Sequence, residues 1–295
     1  MADPDRPPLS LALATRSSRH EIAPLLAIIG DRLGEVDGEV VVASSSGEAP
    51  PENLDPALVR WLPVDSRDLS LLRLRAVLAC RGAVVAVGED QAVPADGWAR
   101  AVIRSHRENP EPVVVGCLVN ATRSTMVGRA NFLSFAGPYL PPMPLLPGGR
   151  PPPSSTLSFK REALVGLDPA DRGGLEPDLV NRLFGERAMV TDDRIAVLHF
   201  QDEGLAWSLR NAYASARTGY GAVGPGLDRD QRRAASRWVV ANLPRRTLRE
   251  AGAARTRLGA AWPELGLVAL LAGASTVGAL AGTLAGPGRA PGTVA

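Results

Sequence analysis

Apolar runs and helical stripes alternate along the first 120 residues. Residues 9–14 form a short apolar run that ends in Thr15-Arg16-Ser17-Ser18, a strand followed by a polar loop. Over 20–33, Ile22, Leu25, Leu26, Ile29 and Leu33 recur at helical spacing. A second strand is expected at 39–43, before a Ser44-Ser45-Ser46-Gly47 turn, and a short third strand at 59–62. Residues 69–80 read as a helix closed by Arg81-Gly82, a basic residue and a C-cap glycine. The unbroken apolar run 83–87 suits a strand buried on both faces. A helix over 94–108 opens on Pro94 and carries Trp98, Ala101, Val102 and Ile103, and 113–119 is another buried strand. Strand and helix in alternation predict an α/β fold with a doubly wound, mostly parallel sheet.

The pattern then breaks. Eight prolines between 138 and 153 forbid helix or central strand there and predict a long, partly mobile loop. Regular structure resumes near 156–159. A helix at 177–184 has Leu179, Leu183 and Phe184 on one side, a strand follows at 196–200, an amphipathic helix at 205–218 and an arginine-rich helix at 229–258. No repeat of about 20–50 residues is visible. Residues 265–286 carry no charge, and these 22 residues are long enough to cross a bilayer core. A membrane helix is expected over 263–288; a buried or peripheral helical hairpin is the alternative.

The expected organisation is a disordered 1–8, a folded domain over 9–222, an arginine-rich juxtamembrane helical region over 223–262, the membrane helix, and a tail at 289–295. Nine arginines between 229 and 257 stand against Asp230, Glu250 and the bordering Asp228. The positive-inside rule then keeps the preceding domain cytoplasmic, and the basic flank attracts anionic lipid. Gly278, Gly282 and Gly286 recur every four residues, a small-residue face on which another helix, including that of a second copy, could pack. The N-terminus lacks a basic stretch before an apolar core and does not read as a signal peptide.

Composition narrows the chemistry. A net charge of +2, with Lys160 the single lysine, supplies no bulk electrostatic case for nucleic acid. Cys80 and Cys117 sit in apolar runs and read as buried, reduced thiols. His20 and His106 read as surface positions on helices, without metal-ligand spacing to the cysteines. No Walker or dinucleotide fingerprint is present. In open α/β sheets ligands bind beyond the C-terminal strand ends, which points to the loops 15–18, 44–48 and 88–91. In the third loop, Glu89 and Asp90 leave an apolar strand directly. Carboxylates so placed can hold Mg²⁺ or Mn²⁺, which in turn neutralises a diphosphate. The same acids also suit a solvated turn or a helix cap before Pro94.

The segment Ala83-Val84-Val85-Ala86-Val87-Gly88-Glu89-Asp90-Gln91, followed by Pro94 and by Gly97-Trp98, resembles the core of family 2 glycosyltransferases. In that family an apolar strand ends in an acidic metal motif, and Pro and Gly-Trp open the next helix. The resemblance covers residues 9–222. It implies a GT-A-type domain that moves a sugar from a nucleotide-diphosphate donor to an acceptor hydroxyl with inversion. By this resemblance Glu89 and Asp90 occupy the first and middle places of the metal motif. Gln91 stands where a ligating Asp or His would be; this is a departure, because neutral Gln is the weaker ligand. Thr15 and Arg16 resemble the opening strand-end segment, and Arg75 the helix leading into the acidic strand. Ser44 and Ser46, with Glu48, replace the family's nucleotide-contacting Asp. His199 matches a His near the donor phosphates in some relatives, and Arg210 and Arg217, with Tyr213 and Gly219, the helix after it. Ser154-Ser155-Thr156-Leu157-Ser158-Phe159-Lys160-Arg161-Glu162-Ala163-Leu164 resembles the segment shaping the sugar side. In Gly173-Gly174-Leu175-Glu176-Pro177-Asp178, Glu176 takes the place of the acceptor base, with Asp178 the alternate. Against these stand helix-dipole acids at 176 and 178, and a non-catalytic GT-A-fold, membrane-tethered binding or assembly protein. A sugar-phosphate nucleotidyltransferase would want glycines in the first loop, which Thr15-Arg16-Ser17-Ser18 lacks.

Overall fold

The computed structural model describes residues 6–52, 55–122, 125–143, 152–165, 167, 180, 188–201, 203–258 and 262–290. The chain divides into two compact units, the first made of Met1–Val119 and Pro141–His199, the second of Asn120–Leu140 and Phe200–Ala295. The boundary expected at 222 does not coincide with that division. The helix expected at 177–184 lies outside the described residues except Val180, and so does the 144–151 part of the proline-rich stretch.

The first unit is built on an eight-stranded mixed sheet ordered β3-β2-β1-β4-β7-β6-β8-β5. Its strands are β1 (Leu9–Thr15), β2 (Glu39–Ser44), β3 (Val59–Pro63), β4 (Val84–Glu89), β5 (Ala92–Pro94), β6 (Val113–Asn120), β7 (Leu157–Lys160) and β8 (Met189–His199). β3, β2, β1 and β4 are mutually parallel. β7 runs antiparallel to both β4 and β6, so β6 shares their direction. The apolar runs that predicted buried strands are buried along their length in β1 and β2. Order begins before residue 9, because the Pro7 and Pro8 carbonyls accept from the Ala83 and Val84 amides.

Three helices cover this sheet: α1 (Arg19–Gly34), α2 (Leu69–Ala79) and α3 (Trp98–Glu108). α1 buries Ile22, Leu25, Leu26, Ile29 and Leu33, the predicted stripe, and Ser18 with Glu21 closes a capping box at its start. α2 is capped by Asp68, whose carboxylate accepts from the Ser70 and Leu71 amides. It ends at Ala79 rather than on a glycine cap. Gly82 is needed for another reason: a Cβ there would lie 2.6 Å from the Ser10 amide nitrogen. α3 starts at Trp98, later than expected, because Pro94 belongs to β5, the last strand in the sheet order. Proline is tolerated on such an edge. His106, expected at the surface, is buried on α3 with Nε2 2.9 Å from Ser158 Oγ.

At the N-terminal end of the parallel strands sits a buried carboxylate, Glu39. It accepts from Ser10 Oγ at 2.8 Å, from the Arg81 amide at 2.7 Å, and from Arg81 Nε and Nη2 at 3.0 and 2.8 Å. Such a charge is tolerated inside because its lone pairs are taken up by a cation and by donors.

The second unit is helical: α4 (Met126–Ala136), α5 (Leu205–Val223), α6 (Arg229–Arg255) and α7 (Trp262–Ala285). α4, capped by Thr125, was not anticipated from the sequence. α7 packs along α5 and also against α6 and α4. The glycine face does the packing on α5. A Cβ on Gly278 would run into the Tyr213 carbonyl, and one on Gly282 would sit 2.5 Å from the Arg217 carbonyl oxygen. α7 is long and apolar enough to cross a membrane. It includes Glu264, buried and held by Arg129 Nη2 at 2.6 Å and Nε at 2.9 Å.

Candidate active site

Parallel strands bring their C-terminal ends to one edge of the sheet. There Thr15 pairs in register with Ser44, and Ala14 with Glu89. Four of the sequence-predicted residues meet at this edge: Thr15, Glu89, Asp90 and, closing β8, His199. β5 delivers the last of these by pairing Ala92 with His199.

Glu89 is clamped. Arg73 Nη2 donates to its Oε1 at 2.7 Å, and His199 Nε2 lies 3.7 Å from its Oε2. Burial by itself pushes this carboxyl up, but the Arg73 guanidinium and then His199 outweigh it, and Glu89 is held at about 2. Asp90 is held differently. Its Oδ2 accepts from Thr15 Oγ1 at 3.1 Å and Ser17 Oγ at 3.2 Å. Burial and the neighbouring Glu89 charge raise Asp90 above the ordinary range, against the pull of the Thr15 hydrogen bond. Two adjacent carboxyls thus differ in proton affinity, which marks a site where charge has been arranged rather than merely solvated. Arg16, partly buried, is lowered first by that burial and then by the Arg67 charge, while Asp90 acts in the opposite sense. Guanidinium groups are therefore gathered around the two acids.

The remaining expected residues are distributed as follows. Ser44 and Ser46 share a hydroxyl contact of 2.9 Å, and Ser44 Oγ also accepts the Ser46 amide. Their loop is fastened to α1 by Glu48, which accepts from the Arg19 amide at 2.8 Å. Gln91 is half-buried in the turn between β4 and β5. Arg75 is exposed on α2, while Arg73 reaches the site, because two positions along a helix point to nearly opposite sides. A signal for Arg73 existed: it falls at i+4 from Leu69 on the stripe 69, 72, 73, 76, where an apolar residue would be expected. Ser17 was hidden as one hydroxyl of a generic polar loop. Glu176 and Asp178 lie outside the described residues. Among the described residues no group of three or more His, Cys, Asp or Glu is placed to hold a metal ion. The thiols take no part: burial first, then Glu39, pushes Cys80 up, and burial pushes Cys117 up to about 11.

A mannosyltransferase, PcManGT from Pyrobaculum calidifontis, solved in complex with GDP-Man and Mn²⁺, aligns with TM-score 0.50 at 18% identity, over 95% of this chain and 88% of that one. A mycobacterial protein of known crystal structure aligns with TM-score 0.43 at 18% identity, over 72% of this chain and 73% of its own. The first match shows a glycosyltransferase-like fold for this chain. No family model matches the sequence, and no curated protein matches it.

Proposed function

We propose that this chain is a family 2-like glycosyltransferase of the GT-A type. It transfers a sugar from a nucleotide-diphosphate donor to an acceptor hydroxyl with inversion. The observation that carries the reading is the split acidic pair Glu89–Asp90 at the C-terminal sheet edge, with Arg73, Arg16 and two hydroxyls around it. A diphosphate leaving group develops charge at departure, and preorganised cations stabilise it. The GDP-Man and Mn²⁺ of the neighbouring mannosyltransferase structure are consistent with such a donor.

The donor set suits a divalent cation that arrives with the donor. Glu89 is already ion-paired, and Gln91 is neutral, so Asp90 is the residue that would hold Mg²⁺ or Mn²⁺. One or two carboxylates plus substrate phosphates are enough for Mg²⁺. When bound, the cation supplies neutralisation of the diphosphate. Thr15 and Ser17 keep Asp90 aimed, and Arg73 keeps Glu89 ionised. On the nucleotide side, Ser44 and Ser46 offer hydroxyls in place of a carboxylate. Glu176, or Asp178, removes the proton from the acceptor hydroxyl as it attacks the anomeric carbon. The helical unit associates with a membrane, and the arginines of 229–257 draw it to anionic lipid.

Transfer and hydrolysis of nucleotide sugars by the full chain, with and without Mn²⁺, test this. Asp90→Ala is expected to lower turnover by about 10²–10³-fold, as removal of one charge-stabilising group does. Equal turnover in both proteins would remove Asp90 from the mechanism. The commitment of Glu89 to Arg73, together with Gln91, favours a second reading, a non-catalytic binding or assembly protein on the same fold. Calorimetric titration with nucleoside diphosphates separates the two, since absence of any binding supports the second.

A further inference from the structure

α7 is apolar on two opposite faces. The inner face packs on neighbouring helices through Val268, Leu271, Ala272, Gly278, Ala279 and Gly282. The outer face is a second stripe, Trp262, Gly266, Leu270, Gly273, Val277 and Leu284, spaced by three, four or seven residues. Leu270, Val277 and Leu284 are 55%, 58% and 60% exposed. A soluble helix of this kind normally turns charge outward; this one has none from Leu265 to Pro287.

We infer that the helical unit binds an anionic membrane with α7 lying in the plane of the lipid interface, not crossing it. This rests on the membrane association proposed above and specifies its geometry. Helix register sets this geometry. Tyr213 of α5 lies against Gly278 and Arg217 against Gly282, so the two helices advance together in the same direction. Arg210, exposed on α5, is then level with Ser275, the middle of the uncharged run. If α7 crossed the bilayer with this packing intact, Arg210 would enter the hydrocarbon centre, where an unpaired cation is strongly disfavoured. Lying flat, α7 inserts only its outer stripe, which is how interfacial helices bind.

Charge complementarity identifies the surface. α6 packs alongside α7 and exposes Arg237, Arg245 and Arg249 within one arc that also holds Trp238 and Leu248. Arginines interleaved with aromatic and aliphatic side chains fit anionic headgroups over acyl chains. Trp262 opens the stripe, largely exposed, with the Arg255 guanidinium 4.2 Å from its ring centroid. An indole there suits the headgroup level.

The test is flotation of the full chain with vesicles of phosphatidylcholine, alone or with a quarter phosphatidylglycerol. Co-flotation is expected with the anionic vesicles, weakened about tenfold by high salt or by neutral lipid, and reversed by alkaline carbonate. The triple variant Leu270→Glu, Val277→Glu, Leu284→Glu changes only exposed positions; it should keep its helical circular dichroism and lose flotation. Retention after carbonate would mean a spanning helix and overturn the in-plane geometry while leaving membrane association standing. Failure to float under every condition would overturn both. Dimerisation that the triple variant abolishes, with no vesicle binding, would show that a second copy covers the stripe instead.

Discussion

At the scale of single residues, two adjacent acids are shifted in opposite directions, Glu89 below and Asp90 above the ordinary carboxylate range. Arg73 keeps Glu89 ionised although Glu89 is only 21% exposed. Removing the guanidinium leaves a largely buried carboxylate without its cation. Arg73→Ala is expected to cost about 2–3 kcal/mol, somewhat under a fully buried pair. Glu89→Gln should cost a similar amount, and the double variant less than the sum of the two. Urea denaturation of the four proteins measures this coupling. His106 provides a pH-dependent case. Burial, then the Lys160 charge, lowers it to about 4. Its folded pKa lies below its unfolded value, so the unfolded chain binds the extra proton. The contribution is complete above about pH 6.5 and is lost as pH falls toward 4, at most roughly 3 kcal/mol. His106→Gln should flatten the dependence of stability between about pH 6.5 and 5, a window above that in which Glu39 and Glu89 are protonated. Denaturant midpoints across that range check it.

At the scale of elements, close approach is what the chain demands of its glycines. Gly278→Ala and Gly282→Ala each push a methyl into the backbone of α5, and each is expected to destabilise by about 2–3 kcal/mol, the upper range for overpacking. Gly273→Ala, on the same helix, meets nothing within 4 Å and should be neutral or stabilising by up to about 1 kcal/mol. Thermal melts followed by helical circular dichroism distinguish the three. Periodicity made α1 legible down to its five buried residues, and continuous apolar runs did the same for β1, β2 and β4. α4 was not legible, because it buries Gly128, Ala130, Asn131 and Phe132 together, a mixture with no clean stripe. The start of α3 is ambiguous in the sequence for a related reason: proline favours both a first helical turn and an edge strand, and only pairing with β8 chooses between them.

At the scale of the whole molecule, the chain by itself determined the alternation of strands and helices, the acidic turn after β4 and the uncharged run near the C-terminus. These are local properties, written in composition and spacing. Tertiary structure alone decided that Asn120–Leu140 joins the C-terminal helices, and that Arg73 rather than Arg75 meets Glu89. It also decided that Asp90 is fastened by Thr15 and Ser17, and that the glycines of α7 lie on α5. Each of these depends on partners 16 or more residues away, and side-chain direction and packing distance are not encoded in any single stretch of sequence.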